Sequence, residues 1–417
     1  MAWIGLDDTD TLDSGCTTWD FHLLITHLED NGVILSGQPN LVRLWPFAPK
    51  RTRGNAALCA EFATDYSTEK VCSILENWFF ERFSLGEADE IDDTTSACPV
   101  LLFSEEKLPE LWYWEAVKSH VDVDSRLQQL SNISGIKFWS LMDIVNSSNS
   151  EYIRGIIGAS SAIAWVGAED WTFEATAWRK ENFIGSKRAV PFELVDEMTK
   201  LFPRTILNRD PNAGKSLIAP RTPCPVLYGI RGEQIEDVTQ AHLWLQQNEM
   251  VETSVAMRVH KSNQATGDHL PEMGRGMVIS RIREVKGGHA SVTVFDGTSR
   301  KTIVAFKQGG EINYLLKSLQ IGDVVEWNGL TSPDEDVHLE SINLQSSVPR
   351  KLVRPICQCG ERFHRQGVGQ PLRCSQCGEN HDSVWISGEI PKLHGWKEPP
   401  ISHRRHLAKP LDRNPKR

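Results

Sequence analysis

Four of the nine cysteines in this 417-residue chain fall within 21 positions, and their spacing constrains the fold more than any other feature. They form two short pairs, Cys357-Gln-Cys359-Gly360 and Cys374-Ser-Gln-Cys377-Gly378. Four thiolates at this spacing favour a tetrahedral zinc site, and the tight turns of such sites favour glycine after the second ligand. The first pair is one residue closer than usual, so His364 is a possible substitute ligand. The segment predicts a zinc ribbon, whose role is usually structural or nucleic-acid docking.

The rest of the composition is that of an ordinary globular protein. The other five cysteines are scattered, which is typical of small buried side chains in a reducing compartment. Hydrophobic residues make up 40% and charged residues 24%, which argues against the disordered and membrane classes. No apolar run approaches the roughly 20 residues that cross a bilayer, and the first residues lack the basic segment of a signal peptide. We therefore expect a cytoplasmic protein without a membrane partner.

The charges are distributed unevenly along the chain. The net charge is −10, yet residues 350–417 contain 14 Lys and Arg against six Asp and Glu. An acidic body with a basic C-terminal end suggests that a polyanion binds at that end and that a cation binds in the body. An acidic surface that only maintains solubility explains the body equally well.

The predicted elements divide the chain into several domains of mixed α+β class. Strand and helix signals alternate over residues 1–120 and again over 121–270, which predicts two α/β domains. Between Gly276 and Leu344, five strand-like runs with a short helix after the third are typical of an OB-fold barrel. We therefore assign an OB-fold to residues 271–348, a zinc ribbon to 349–390 and a basic tail to 391–417.

The polar segment Asp7–Thr18 joins the first predicted strand to the first predicted helix. Backbone amides and the helix dipole at such a junction favour phosphate, but four carboxylates in the segment would repel it. Both facts fit if the carboxylates hold Mg²⁺, which bridges them to the phosphates of a nucleotide. Thr17 and Thr18 stand where N-cap hydroxyls would lie, close to any such phosphate. The four carboxylates are Asp7, Asp8, Asp10 and Asp13.

Two alternatives to a magnesium site compete for this segment. A calcium-binding EF-hand loop is excluded, because Leu12 and Trp19 occupy positions that require oxygen ligands. A solvated acidic turn with capping threonines fits the same residues and stays open.

Four further segments carry candidate ligand contacts. Lys50-Arg51-Thr52-Arg53-Gly54-Asn55 combines three cations with a glycine, which suits a phosphate chain, although a basic surface turn has the same composition. The small residues around Gly158 allow close approach by a ligand or, more simply, by a neighbouring helix. Gly229–Gly232 and Asn263–His269 are polar clusters that suit base edges or a guanidinium, or that only stabilise turns.

Together these segments resemble one family over nearly the full chain, the archaeal tRNA 2-agmatinylcytidine synthetases. The order and coverage of the motifs carry the resemblance, since no single motif is decisive. The matching motifs are Gly5–Asp10, Gly15–Thr18, Lys50–Asn55, Gly158-Ala159, Val226–Gly232, Asn263-Gln264 with Thr266 and Asp268-His269, the OB-like stretch and the cysteine cluster.

The resemblance implies an ATP-dependent ligase that acts on the wobble cytidine of the tRNA(Ile) with a CAU anticodon, which reads AUA. Such an enzyme phosphorylates C2 of the base and then replaces the phosphate with agmatine, releasing AMP and phosphates. It also implies a kinase-like N-terminal α/β domain, a ferredoxin-like α/β domain, and OB-fold and zinc-ribbon domains that grip the tRNA.

The resemblance also implies roles for individual residues. Asp7, Asp8 and Asp10 would bind Mg²⁺ and act in catalysis with Thr18, the threonine that the family autophosphorylates. ATP contacts would come from Thr17, Thr18, Lys50, Arg53, Gly54 and Asn55. Structural Zn²⁺ would be held by Cys357, Cys359, Cys374 and Cys377. Substrate contacts would come from Gly158, Arg231, Asn263, Gln264, Asp268 and His269.

The sequence departs from the family at Thr222–Pro225, where an Asp-containing version is usual, so substrate would be held without a carboxylate at this position. A non-catalytic nucleic-acid-binding protein, built on the OB-fold and the ribbon, is the alternative hypothesis, and a protein kinase that forms ADP is a third.

Overall fold

The computed structural model describes residues 1–10, 15–49, 51, 54–83, 97–145, 150–350, 352–387 and 395–413. The chain divides into two compact units. Unit 1 consists of Met1–Leu270 and Pro400–Arg417, and unit 2 of Pro271–Pro399. No helix among the described residues is long and apolar enough to cross a membrane.

Unit 1 is built on a nine-stranded mixed sheet with the order β10-β7-β11-β3-β4-β1-β5-β6, in which β2 also pairs with β4. Its strands are β1 Ala2–Asp7, β2 Ile34–Leu35, β3 Asn40–Arg43, β4 Ala56–Ala63, β5 Val100–Ser104, β6 Ile136–Ser140, β7 Thr172–Trp178, β10 Val226–Gly232 and β11 Ala256–Ser262, with β8 Arg209–Asp210 and β9 Lys215–Ser216 forming a separate hairpin. Its helices are α1 Thr17–Asp30, α2 Thr68–Arg82, α3 Leu111–Lys118, α4 Val123–Ser131, α5 Leu141–Val145, α6 Gly155–Ala164, α7 Phe192–Leu201 and α8 Ile235–Gln246.

The first strand lies at the centre of its half of the sheet. It pairs antiparallel with β4 on one side and β5 on the other, so Ile4 and Leu6 are fully buried. Helices α1 and α2 pack on one face, and α6 with α3 on the other. A Cβ on Gly5 would lie 2.5 Å from the Ala159 carbonyl oxygen, so α6 packs directly on β1. This contact requires glycine and places the start of α6 beside the end of β1.

The two α/β regions expected from the sequence share one continuous sheet. Strand β11 joins them by pairing in parallel with β3, through Lys261 with Asn40 and Ser262 with Leu41. The other pairings in this sheet are antiparallel. Residues from distant parts of the sequence therefore meet where β3, β7 and β10 pass the start of α1.

Unit 2 contains a small barrel, as the five strand-like runs predicted. The strands are β12 Gly274–Val278, β13 Arg283–Glu284, β14 Ala290–Phe295, β15 Arg300–Ala305, β16 Val324–Thr331 and β17 Val337–Ser346, with α9 Glu311–Ser318 between β15 and β16. Pairing of β12 with both β14 and β16 closes the sheet. Five short strands follow: β18 Leu352–Val353, β19 His364–Arg365, β20 Leu372–Arg373, β21 Asn380–His381 and β22 Ile386–Ser387.

The chain returns to unit 1 at Pro400, inside the segment that the sequence assigned to a basic tail. Leu407 is buried in the core of unit 1. The side chain of Arg413 is only 4% exposed and donates to both carboxylate oxygens of Asp170, at 2.7 and 2.8 Å, and to Glu233 at 2.8 Å. Part of the basic charge of this segment is therefore neutralised within unit 1.

Arg413→Met is expected to destabilise the protein by about 3 kcal/mol, because it leaves two carboxylates without their buried partner. The matched control is Lys200→Met, which breaks an exposed ion pair with Asp196 and should cost less than about 1 kcal/mol. Chemical denaturation followed by tryptophan fluorescence measures both. Equal losses in the two variants would contradict this role for Arg413.

Candidate functional site

Two cavities in unit 1 lie on either side of the start of α1. The first has a volume of about 230 Å³ and the second about 380 Å³. Asp10, Thr17 and Ala56 line both of them. A ligand in one cavity would therefore lie next to a ligand in the other, separated by these side chains.

The segment Asp7–Asp10 at the end of β1, here called the acidic loop, lines the first cavity with three carboxylates, from Asp7, Asp8 and Asp10. Asp8 follows directly after β1 with a φ of 59°, and its carboxylate lies 2.6 Å from Nε of Arg154. Asp10 accepts from the backbone N–H of Thr17 at 2.7 Å, which satisfies a free amide at the start of α1. These two contacts hold the carboxylates of Asp8 and Asp10 at the wall of the first cavity. The N-cap residue is Cys16, so the expectation that the hydroxyls of Thr17 and Thr18 cap this helix is wrong.

A second layer of contacts holds this loop from behind. The Thr9 hydroxyl donates to Asp20 on α1 at 2.5 Å. Arg82 on α2 donates to the same carboxylate at 2.6 and 3.0 Å. The buried carboxylate of Asp20 therefore connects Thr9 of the acidic loop to both α1 and α2, the helices that cover β1.

The crowded carboxylates favour a bound cation. Burial raises the pKa of Asp7 well above its usual value, and the negative charges of Asp8 and Asp10 raise it further. Burial also raises the pKa of Asp8 to about 7, although Arg154 opposes this shift. A divalent cation would relieve the repulsion, and oxygen ligands of this kind are those that Mg²⁺ prefers.

Helix α6 approaches the same carboxylates through its first turn. A Cβ on Gly158 would overlap Oδ2 of Asp7, so the carboxylate lies against the helix backbone. The positive end of the helix dipole favours a negative charge there. Gly158, predicted as a substrate contact, lines the first cavity and makes room for Asp7.

The remaining wall of the first cavity is largely apolar and suits a flat ring. It includes Leu44, Trp45, Ala116, Val121 and Val123. Asn55 also lines the cavity, has a φ of 45° and donates to the Trp45 carbonyl at 2.9 Å. Of the other predicted residues, Gly54 lines the second cavity, while Asp13, Lys50 and Arg53 lie outside the described residues.

The second cavity places Thr18 near a group of buried charges. Its hydroxyl accepts from Nε1 of Trp178 at 3.2 Å. Across the cavity, Glu174 lies 4.0 Å from Arg43, and Arg231 contributes a second cation. The arginines hold the pKa of Glu174 below its usual value although burial opposes them, so this carboxylate is ionised.

A loop between β9 and β10 forms another wall of the second cavity, and Arg188 fixes its shape. Nε and Nη1 of Arg188 donate at 2.8 Å to the carbonyls of Val226 and Pro220. Nη2 donates at 3.1 Å to the carbonyls of Thr222 and Cys224. The segment that departs from the family at residues 222–225 therefore has a defined conformation without a carboxylate.

Four of the predicted substrate residues line neither cavity: Asn263, Gln264, Asp268 and His269. Asn263 bonds to the backbone of Arg43 on both sides, accepting from N–H at 2.7 Å and donating to C=O at 2.8 Å. The hydroxyl of Tyr113 donates to Asp268 at 2.5 Å. Asn263 also donates to that hydroxyl at 2.9 Å, so Asn263 fixes the end of β3 directly and Asp268 supports it through Tyr113. Arg231 lines the second cavity directly, and Gln264 is linked to it by the hydrogen bond that it donates to Glu174.

The four cysteines of unit 2 form one cluster, with sulfur atoms all within 4.8 Å of one another. Cys357 and Cys377, and Cys359 and Cys374, lie 3.4 Å apart. Gly360 and Gly378 have φ values of 89° and 74°, the left-handed conformation that the tight turns need. The closer spacing of the first pair is therefore compatible with convergence on one ion, without His364.

Comparison with known proteins identifies the family. The model of the TiaS TCKD domain matches residues 3–142, and that of the TiaS FLD domain matches residues 154–269. The isoleucine-tRNA 2-agmatinylcytidine synthetase TiaS of Methanopyrus kandleri is 30% identical, over 98% of this chain and 96% of its own length. That of Archaeoglobus fulgidus is also 30% identical, over 99% and 97%. This chain belongs to the TiaS family.

Solved TiaS structures share the fold over nearly all of the chain. The crystal structure of apo TiaS has a TM-score of 0.81 at 28% identity and covers 99% of this chain and 97% of its own. A complex of TiaS with its isoleucine tRNA, AMPCPP and agmatine has a TM-score of 0.78 at 27% identity, with the same coverage. The match to the TCKD domain ends at residue 142, and the match to the FLD domain begins at residue 154, just before α6. Residues from both matched segments line the first cavity.

Gly158→Ala is expected to weaken binding of ATP with Mg²⁺ at least about tenfold, because its methyl group would displace the Asp7 carboxylate. Alanine itself favours a helix, so α6 should persist. The measurement is the thermal stabilisation that the nucleotide gives. Gly309→Ala is the control, since its Cβ would meet nothing closer than 3.8 Å. An unchanged affinity in Gly158→Ala would place the nucleotide elsewhere.

Proposed function

We propose that this chain is an isoleucine-tRNA 2-agmatinylcytidine synthetase. In this proposal it uses ATP to phosphorylate C2 of the wobble cytidine of the tRNA with a CAU anticodon, and then joins agmatine at that carbon. Full-length relatives carry this name, and solved relatives are complexes with the tRNA and ATP, and with AMPCPP and agmatine. The observation that carries the proposal is the pair of cavities that share Asp10 and Thr17.

The first cavity is assigned to the nucleotide. Its apolar wall would hold the adenine, and the phosphates would extend toward Asp10 and the amides at the start of α1. Asp7, Asp8 and Asp10 would hold Mg²⁺, which when bound neutralises phosphate charge and orients the reacting group. Arg154 and Arg51 line the same cavity and supply cations for the phosphate chain.

The second cavity is assigned to the cytidine and the amine. Thr18 lies in it at the boundary with the nucleotide cavity, which suits the family role of a threonine that accepts a phosphoryl group. Arg43 and Arg231 suit the phosphate on C2 of the base, since two guanidinium groups match its oxygens. Asp10 and Glu174 are its carboxylates and suit the cationic amine.

Unit 2 is assigned to tRNA binding. The barrel, which we name an OB-fold, exposes Phe295 and Phe306, and Arg300 lies beside Phe295 along the wall of an open groove. Aromatic rings next to a cation suit stacking with unpaired bases. The cysteine cluster would hold a structural Zn²⁺ that folds the ribbon. The kinase-like and ferredoxin-like names remain our proposals for the two parts of unit 1.

A non-catalytic nucleic-acid-binding protein is the weaker hypothesis. Such a protein has no need of two neighbouring, partly buried carboxylates with raised pKa values, Asp7 and Asp8, which cost folding free energy when no cation is bound.

Asp8→Asn should reduce AMP formation at least about 100-fold, since it removes a carboxylate from the metal site. The dissociation constant for tRNA should stay within about twofold, because tRNA binding is assigned to unit 2. Thin-layer chromatography with labelled ATP, agmatine and tRNA measures AMP, and filter binding measures affinity. Asp65→Asn, at an exposed residue, is the control. Full activity in Asp8→Asn would refute the site, whereas ADP in place of AMP in the unmodified protein would indicate a protein kinase.

Cys374→Ser should lower the bound zinc from about one ion per chain to nearly none, because three thiolates hold the ion far more weakly. Metal content after gel filtration gives the answer. The control is Cys72→Ser, which changes a cysteine of unit 1 outside the cluster, and this variant should still bind about one zinc ion per chain. A Cys374→Ser protein that still binds about one zinc ion per chain would contradict the assignment of zinc to the four cysteines.

A further inference from the structure

The C-terminal segment of unit 1 brings a histidine to the second cavity. After Pro400 the chain runs along the loop at residues 263–269, where the N–H of Ala265 donates to the His406 carbonyl and that of Gly267 to the Leu407 carbonyl, both at 2.8 Å. Leu407 is buried directly beside this contact. The backbone at His406 is therefore fixed, and its side chain lines the cavity that contains Thr18.

The hydrogen bonds around His406 determine which ring nitrogen carries the proton. A carboxylate only accepts, so the amide nitrogen of Gln264 donates to Glu174 and its oxygen faces the other way. That oxygen lies 3.2 Å from Nδ1 of His406, which must then be the protonated nitrogen. Nε2 consequently carries the lone pair. The chain from Glu174 through Gln264 to His406 orients the ring as a base.

The charges near the ring keep it neutral. The positive charge of Arg43 lowers the pKa of His406 well below its usual value, and the surrounding protein atoms and Arg231 lower it further. Glu174 is the carboxylate on this side of the cavity, and it is already paired with Arg43 and bonded to Gln264. The residue as a whole keeps exposed surface, so water has access to it. A neutral imidazole with a fixed tautomer keeps the lone pair of Nε2 free at pH 7, and the nearby arginines cause any proton that it takes up to pass on readily to water.

We propose that His406 is a catalytic base of the second cavity, which takes the proton from the amine that attacks the activated cytidine. This inference rests on the proposed function and adds a residue that neither motif nor family resemblance singled out.

The proposed step balances as follows. The amine nitrogen uses its lone pair to form the bond to C2, and the C2–O bond to the phosphate breaks, with its electron pair leaving on the phosphate. The surplus proton on nitrogen passes to Nε2 of His406 and from there to water. Arg43 and Arg231 would stabilise the negative charge that leaves. No oxidant or further reactant is needed.

The test separates the two half-reactions in His406→Asn. The Asn amide reaches the place of Nδ1 and keeps a donor for Gln264, but it has no basic nitrogen in place of Nε2. AMP formation with tRNA and ATP alone should stay within about threefold of the unsubstituted protein. Transfer of labelled agmatine to tRNA should fall about 100-fold or more, which is the usual contribution of a general base. His403→Asn, an exposed histidine in the same segment, is the matched control and should retain both rates.

A second nucleophile distinguishes the loss of a catalytic base from a structural change in the cavity. Hydroxylamine is unprotonated near pH 7 and needs less help from a base, so His406→Asn should lose much less activity with it than with agmatine. Equal losses with both nucleophiles, or parallel losses of AMP formation and transfer, would assign His406 a structural role and overturn the proposal. Unchanged transfer would overturn it as well. If the unsubstituted protein does not transfer agmatine at all, the proposed function itself fails.

Discussion

The contact between α6 and β1 is the constraint on which the site depends. Gly5 lets the helix backbone lie directly on the central strand, and Gly158 leaves the space that the Asp7 carboxylate fills. Because β1 is held between β4 and β5, its end cannot move without the sheet. Three carboxylates are thereby gathered at one fixed point, against a helix terminus that favours negative charge. The fold tolerates the repulsion between them because packing elsewhere along β1 is extensive.

The two cavities differ in charge, and the difference follows from sheet order. The first is lined by the acidic loop after β1, while the second receives Arg43 from β3 and Arg231 from β10. These strands are brought into one sheet by the parallel pairing of β11 with β3. The cavity that suits a nucleotide with a cation therefore lies next to the cavity that suits a phosphorylated base. Thr17 and Asp10 stand between them.

Sequence patterns predicted what is local. The acidic loop, the threonines at the start of α1 and the cysteine pairs each lie within a few residues, and the barrel strands alternate clearly enough to be placed in order. Arg43, Glu174 and His406 could not be found in this way, because they lie on elements that meet only when the sheet forms. Asn263 and Asp268 show the opposite problem: a polar cluster predicts ligand contacts, but Asn263 fixes the end of β3 and Asp268 supports Asn263 through Tyr113. Composition cannot separate a group that holds a strand from one that holds a ligand.

The return of the chain to unit 1 at Pro400 has a consequence for biosynthesis. Unit 2 is inserted between two parts of unit 1, and Leu407 and Arg413 are buried in unit 1 only after that insertion has been made. On the ribosome, the sheet of unit 1 must therefore wait, with a hydrophobic gap and two unpaired carboxylates, until the 129 residues of the insertion have emerged. A nascent chain that stalls within the insertion would carry an unfinished second cavity, so the inserted unit delays the moment at which the site in unit 1 is assembled.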